Sequence, residues 1–456
     1  MSLSIWAEEL TDARWTEVLP QIQQHEVVRL EYCSLTEDQC KDIRSALQAN
    51  SSLTELSLKF NKLGDAGTRL VLQGLQGPAC KLCKLNLQYC SVTLASCSEL
   101  PRSLCSMPNL LELNLSYTSL GDMGLHLLCT GLLDSQCQLE RLQLRCCCLS
   151  AESCEALDPV IRGKSNLKEL VLSENHIGEG GVRMLCQSLI ESSCQLEKLM
   201  LDTCHVNSGR DLSRLLASKA SLGELEMSCN PLGDGGIAEL CTGLLNPNSQ
   251  LKTLGLCRCH ITIRGLGDIC RVLETKKSLK ELSLVDNELE DEGAKLLCEH
   301  LLAPNCQLQS LQVNRCYFTE ACCQHFSQVL AQSQHLLELQ ISDNNLGDAG
   351  VKQLCQALSQ PNSKLQILYL GDCNLTNASC ESLATLLCAC QSLKQLNLSN
   401  NDFIYDPGVE LLVSSLEHPD SHHLEMLVLY DIFYSEELNE RLEALQESRP
   451  HLKIIS

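Results

Sequence analysis

Leu56-Ser-Leu-Lys-Phe-Asn-Lys-Leu-Gly-Asp-Ala-Gly-Thr-Arg-Leu-Val-Leu-Gln-Gly-Leu75 carries two hydrophobic periods in one short stretch. Leu56 and Leu58 alternate with period 2, which puts both on one side of a short strand. Thr68–Leu75 spaces its apolar residues three or four apart, the period of a helix. Leu63-Gly-Asp-Ala-Gly67 between them reads as a turn. The opening pattern, Leu-x-Leu-x-x-(Asn/Cys), recurs fifteen times with small variations. Its last position falls at Cys33, Asn61, Cys90, Thr118, Cys147, Asn175, Cys204, Asn230, Cys259, Asn287, Cys316, Asn344, Cys373, Asn401 and Ile432. The steps alternate between 28 and 29 residues from Cys33 to Cys204, then are disturbed at 26 (Cys204 to Asn230) and 31 (Asn401 to Ile432). Cys and Asn alternate almost throughout, so the true unit is a pair of repeats.

Strand then helix, repeated, predicts that all strands are parallel. Neighbouring strands sit roughly 4.7–4.9 Å apart, whereas helices with side chains are about 10 Å wide. Stacked repeats of this kind must bend. The expected fold is therefore α/β: a leucine-rich-repeat solenoid, a right-handed βα horseshoe. About fifteen parallel strands line its concave side and helices its outside. One domain is expected over residues 1–456, with an N-terminal cap at 1–26, repeats at 27–432 and a C-terminal cap at 433–456. The caps are needed because no repeat buries its core alone. Both tryptophans, Trp6 and Trp15, fall in the first cap. Thr36-Glu-Asp-Gln39 reads as a capping box opening a helix. The Asn and Cys of the ladder are expected to bond backbone groups where the chain leaves each strand.

The chain's 456 residues are 44% apolar but only 3% aromatic, so the core is built from Leu, Ile, Val and Cys. The formal charge of -22 repels nucleic acid and anionic membrane and attracts basic partners. Met1–Leu10 lacks the marks of a secretory signal, and no stretch reaches the roughly 18 apolar residues of a spanning helix. A cytoplasmic location is the expectation. Thirty-one cysteines, an odd number, then read as reduced thiols packed as small hydrophobes. Adjacent thiols at Cys146-Cys147-Cys148 and Cys322-Cys323 allow a second reading. Vicinal disulfides would distort tightly stacked repeats and make binding oxidation-sensitive.

Catalytic motifs are missing. There is no GxxxxGK[ST], GxSxG or HExxH. Cys80-Lys-Leu-Cys83 has zinc spacing but no partner pair. No metal, cofactor or catalytic residue is expected. Function should lie on the sheet face, whose side chains point away from the leucine core. Aromatics line its first four strands (Tyr32, Phe60, Tyr89, Tyr117) and its last few (Tyr369, Tyr430), while carboxylates with a few arginines fill the middle and continue to the end. Aromatic anchors amid carboxylates suit a basic protein ligand better than a small molecule.

The double repeat with alternating Cys and Asn resembles the mammalian ribonuclease inhibitors over the whole chain. Further shared stretches are Ala13-Arg-Trp-Thr-Glu17, Asp291-Glu-Gly-Ala294, Leu427-Val-Leu-Tyr-Asp-Ile432 and the Ile454-Ile455-Ser456 end. The resemblance implies a non-catalytic, stoichiometric inhibitor of basic, secretory pancreatic-type ribonucleases. The inhibitor would be a monomer forming a 1:1 heterodimer that blocks the RNA site. It implies Tyr430 and Asp431 as principal contacts, Asp431 meeting an active-site lysine. Glu281 and Glu338 match contributing carboxylates, and Asp202 stands for a glutamate. Phe433 stands for a tyrosine and Ser456 for the matching C-terminus. The tryptophan-bearing strands depart from the pattern: Leu254-Gly-Leu-Cys257 replaces Leu-Trp-x-Trp, and Gln312 and Tyr369 replace tryptophans. Asn314 replaces a lysine and Gln395 a glutamate. The same repeat type occurs in innate-immune sensors and Ran GTPase-activating proteins. The alternatives are therefore an interaction scaffold for another protein, or a GTPase-activating regulator.

Overall fold

The computed structural model describes residues 1–77, 80–134, 136–163 and 166–456. They form two compact units, Met1–Glu226 and Met227–Ser456. In the first unit nine parallel strands follow one another in chain order, from Ser2–Trp6 and Val27–Glu31 to Glu224–Glu226. In the second, eight do so, from Thr253–Gly255 to Lys453–Ile455. Fifteen of these belong to the repeats the sequence counts. The other two, Ser2–Trp6 and Lys453–Ile455, lie inside the cap segments. There they pair with the outermost repeat strands, whose unpaired backbone edges would otherwise face water.

Each strand is short because the ladder residue ends it. Leu56 and Leu58 are buried on either side of Ser57. Asn61 then turns inward. Its Nδ2 donates to Leu30 O (2.7 Å) and Leu58 O (2.8 Å). Its Oδ1 accepts from Cys33 N (3.0 Å) and Leu35 N (3.3 Å). One side chain thus satisfies backbone groups of its own turn and of the repeat before it. Asn175, Asn287, Asn344 and Asn401 repeat the arrangement. Cysteine does a smaller version: the thiols of Cys90 and Cys147 each reach a carbonyl of the preceding repeat, Leu58 O and Leu115 O, at 3.1 Å.

The residue before every ladder position lies in the left-handed region. All fifteen, from Tyr32 to Asp431, have φ between 47° and 61°, and none is glycine. For an L-residue this costs roughly 1–2 kcal/mol. The hydrogen bonds the turn makes possible offset it. In each unit the same geometry sends these side chains outward along one edge of its strands.

Helices return behind the strands. Thr36 caps the helix Glu37–Ala49 with the full capping box. A second ladder links helix starts: the carboxylate of Asp122 accepts from the Ser150 backbone (2.8 Å) and hydroxyl (2.6 Å), and Asp234–Thr262 and Asp348–Thr376 do the same. Helices approach closely at glycines: a Cβ on Gly131 would lie 2.7 Å from Pro101 Cα.

Candidate protein-binding face

Strand register in the second unit sorts the expected residues into rows. Thr253, Glu281, Ser310, Glu338, Ile367 and Gln395 form one row along the sheet. Glu281 and Glu338, and then Gln395, therefore recur two strands apart, at roughly 10 Å. Gln312 and Tyr369 share the next row on the same face, with Gln340 between them. Ser283 donates to Gln312 Oε1 (3.1 Å), and Gln340 donates to Glu338. Glu281 is exposed, while Glu338, Gln312, Tyr369 and Gln395 are half-buried.

The left-handed row carries the charge. Arg258 pairs with Asp286 (2.7 Å) and Arg315 with Asp343 (3.3 Å), so those carboxylates are neutralised from the neighbouring repeat. Asp372 and Asp431 are exposed, and among the described residues neither has an ion-pair partner. Free negative charge therefore gathers towards the C-terminal end of this row.

Tyr430 and Asp431 sit there. The strand covers only Met426–Val428, so both lie in the turn after it rather than in the strand. Asp431 occupies the left-handed position (φ 60°). Tyr430 O accepts from Asn400 N at 3.0 Å, which fixes the turn while the ring stays 60% exposed. Phe433 is 77% exposed and Ser456 is exposed at the chain end.

Asp202 departs from expectation. Read as an open carboxylate, it is only 7% exposed. Ser173 donates to it, and Arg145 bridges it (2.8 Å) to Glu174 (2.7 Å). Its hydrogen-bonding capacity is used inside the first unit. There the neighbouring rows are also self-paired: Arg29–Glu55 at 2.7 Å, Lys84–Glu112 at 3.2 Å and Arg141–Glu112 at 2.7 Å.

One feature of that unit was only half legible. Tyr32, Phe60, Tyr89 and Tyr117 occupy consecutive left-handed positions, and Tyr89 stacks on Tyr117 with ring centroids 4.2 Å apart. Trp6, read as a cap residue, joins the stripe. It stacks on Tyr32 (6.3 Å), meets Phe60 edge-on (5.9 Å) and is 59% exposed. Trp15 is the core tryptophan, its Nε1 donating to Asp42 (2.9 Å). The signal that separates them is alternation: Trp6 lies three residues beyond buried Leu3 in a strand, on the opposite face.

All thirty-one thiols are free. Cys147 points into the ladder, and burial pushes its thiol up to about 11. Cys146 is half-buried and Cys148 exposed on either side of it. Cys322 and Cys323 are both buried. The adjoining Cys323 thiol, with burial, drives the Cys322 thiol far up, so the two do not form an openly reactive pair. Among the described residues no three His, Cys, Asp or Glu side chains converge as metal ligands. Among the described residues no helix is long and apolar enough to cross a membrane.

Comparison with known proteins follows the same lines. The family described as Capping Ribonuclease inhibitor Leucine Rich Repeat matches residues 1–30. The Leucine Rich repeat family matches seven segments between residues 49 and 413. The chain is 58% identical over 458 aligned residues to the ribonuclease inhibitor of Sus scrofa, covering 100% of both. It is 57% identical to that of Mus musculus, again covering 100% of both. NACHT, LRR and PYD domains-containing protein 12 of Mus musculus is 39% identical over 75% of this chain, which spans 33% of that protein.

Proposed function

The chain belongs to the ribonuclease inhibitor family, and from that premise we infer that it is a non-catalytic, stoichiometric inhibitor of basic pancreatic-type ribonucleases, angiogenin-like ones included. It acts in the cytoplasm as a monomer that forms a 1:1 heterodimer, and it binds neither nucleic acid nor membrane. The observation that carries this reading is Asp431: an exposed carboxylate without an ion-pair partner among the described residues, beside the exposed ring of Tyr430. Such a carboxylate takes a lysine ammonium, and the adjacent ring limits its hydration. An inhibitor that occupies an active-site lysine excludes RNA from the same place. Phe433 and Ser456 border this contact. Glu281 and Glu338, with Gln312, Tyr369 and Gln395 around them, present further acceptors and charge that speed encounter with a cationic ligand.

Redox sensitivity belongs to the same reading. Of the adjacent thiols, exposed Cys148 and half-buried Cys146 are reached first by oxidant. Cys147, Cys322 and Cys323 follow only once their repeats open, and binding is then lost.

Titrating a pancreatic-type ribonuclease with the purified protein under reducing conditions tests the proposal. RNA cleavage should fall linearly to completion at one equivalent. Cleavage unaffected by a tenfold excess would refute it.

A further inference from the structure

One loop breaks the repeat's rule. In five repeats a glycine opens the helix turn: Gly64, Gly121, Gly178, Gly233 and Gly347, all at φ between 60° and 65°. In a sixth, Glu290 adopts the same backbone at φ 57°. The corresponding residue after Asn401 is Tyr405, and it is extended instead, at φ -149°. The cause is an extra residue. Thr319 bridges Asn345, the first residue after its ladder asparagine, but Thr376 bridges Phe403, the second after Asn401. The detour is firmly held. Ile404 is buried and its N–H donates to Asn401 O (3.0 Å), while Asn377 Oδ1 accepts from Tyr405 N (3.0 Å) and Gly408 N (3.1 Å).

What the detour presents to solvent is aromatic. Phe403 is 60% exposed and Tyr405 53%. More than half of each residue is left open to solvent, and exposed apolar patches mark interaction sites. Register sets their neighbours. Gln395 pairs with Met426 and Asn400 N donates to Tyr430 O (3.0 Å), so Asn400 faces Asp431 one repeat on. Strand spacing places the two repeats roughly 5 Å apart. Phe403, Tyr405, Tyr430 and Phe433 thus share one end of the second unit. Asp402 and Asp431 are exposed among them, and neither is ion-paired among the described residues.

We propose that the Asp402–Tyr405 loop is a specificity-determining rim. It is a second aromatic anchor that grips a surface loop of the ribonuclease presenting lysine or arginine beside an apolar side chain. The carboxylates fix the partner's sign, since no cation among the described residues neutralises them. The rings bury apolar surface and take a guanidinium or ammonium over their faces. Ligands of one fold differ most in their loops, so a contact here discriminates between ribonucleases more than it serves them all. The proposal rests on the reading that the ligand is a ribonuclease.

The test is a Phe403→Ser, Tyr405→Gly double variant of the full chain. Glycine restores what five other repeats use. Dissociation is measured from two probes, a pancreatic ribonuclease and an angiogenin, beside Tyr430→Ala. The rim predicts dissociation about tenfold or more faster from at least one probe. It also predicts about a tenfold change in the ratio of the two Kd values, with the unfolding midpoint unchanged. Both Kd values staying within about twofold, while Tyr430→Ala weakens both, would overturn the rim and leave the inhibitor reading standing. A parent chain that binds neither probe would sink both. If the double variant is less stable, Phe403→Leu keeps an apolar group and removes the ring. A shifted Kd ratio then supports the rim, and an unchanged one counts against it.

Discussion

At the scale of single residues, the ladder and the left-handed position before it divide structure from function. Asn175 shows the first. Its side chain donates to Leu144 O and Leu172 O (both 2.8 Å) and accepts from Cys147 N (2.9 Å) and Leu149 N (3.1 Å). Asn175→Ala orphans buried backbone groups, at about 1–3 kcal/mol for each one left unsatisfied. It should lower stability by at least ~3 kcal/mol, read as a shifted urea midpoint; a loss below ~1 kcal/mol would show that water replaces the amide. Asp431 shows the second. Because it is left-handed, Asp431→Ala mixes backbone strain with loss of charge. Asp431→Asn avoids this, since Asn tolerates that region. It should leave stability within ~0.5 kcal/mol and accelerate ribonuclease dissociation by the equivalent of about 2–5 kcal/mol. Unchanged dissociation kinetics would make Asp431 a turn residue only. The ladder was legible in the sequence because its residue type repeats. The left-handed row was not: Tyr, Phe, Cys, Thr and Arg all occupy it, and their chemistry gives no hint of φ. The burial of Asp202 was hidden similarly, because the arginine that engages it lies two repeats earlier.

At the scale of elements, spacing predicted strand and helix well wherever the step was regular, and its irregularities marked what was missed. The short step from Cys204 to Asn230 shortens the helix to nine residues, Arg210–Ser218, against the fourteen of Gly178–Glu191. The long step from Asn401 includes the Phe403 detour. A step length reports that residues were added, not where, so the exposure of the loop's aromatics is not legible from spacing. Glycines carry a further element-level test. In Gly131 a Cβ would meet Pro101 Cα at 2.7 Å and Leu104 Cδ1 at 3.0 Å, so two helices touch through it. In Gly180, also helical, a Cβ meets nothing within 4 Å. Gly131→Ala should destabilise by about 1–3 kcal/mol through overpacking. Gly180→Ala should stabilise by up to ~1 kcal/mol by restricting the unfolded chain. Equal effects in paired denaturation curves would contradict the packing account.

At the scale of the molecule, two collective properties follow from composition, one from thiols and one from charge. Burial pushes the thiols of Cys90, Cys129, Cys204, Cys316 and Cys355 up to about 12, from an ordinary value of 9. Above the ordinary value the unfolded chain releases those protons and the folded chain keeps them. Stability is therefore intact below about pH 9 and is lost as pH rises towards 12, by up to about 1.4 kcal/mol per pH unit for each such thiol. Urea midpoints under reductant should fall steeply between pH 9 and 11; a flat profile would mean that the buried thiols ionise in place. Charge acts on the partner instead. The chain carries a formal -22, yet much of it is locally paired, as at Arg258–Asp286 and Arg315–Asp343. Long-range attraction depends on the net field, whereas a formed contact such as the one proposed for Asp431 would be excluded from solvent. Salt screens the first over a Debye length of about 10 Å at 0.1 M and reaches the second far less. Raising salt from 0.05 M to 0.5 M should therefore slow association with a basic ribonuclease by about 10- to 100-fold, while dissociation changes by less than about threefold. Stopped-flow mixing measures the first rate and competition with excess catalytically inactive ribonuclease the second. Association insensitive to salt would mean that the acidic surface does not steer, and that capture depends on the aromatic contacts alone.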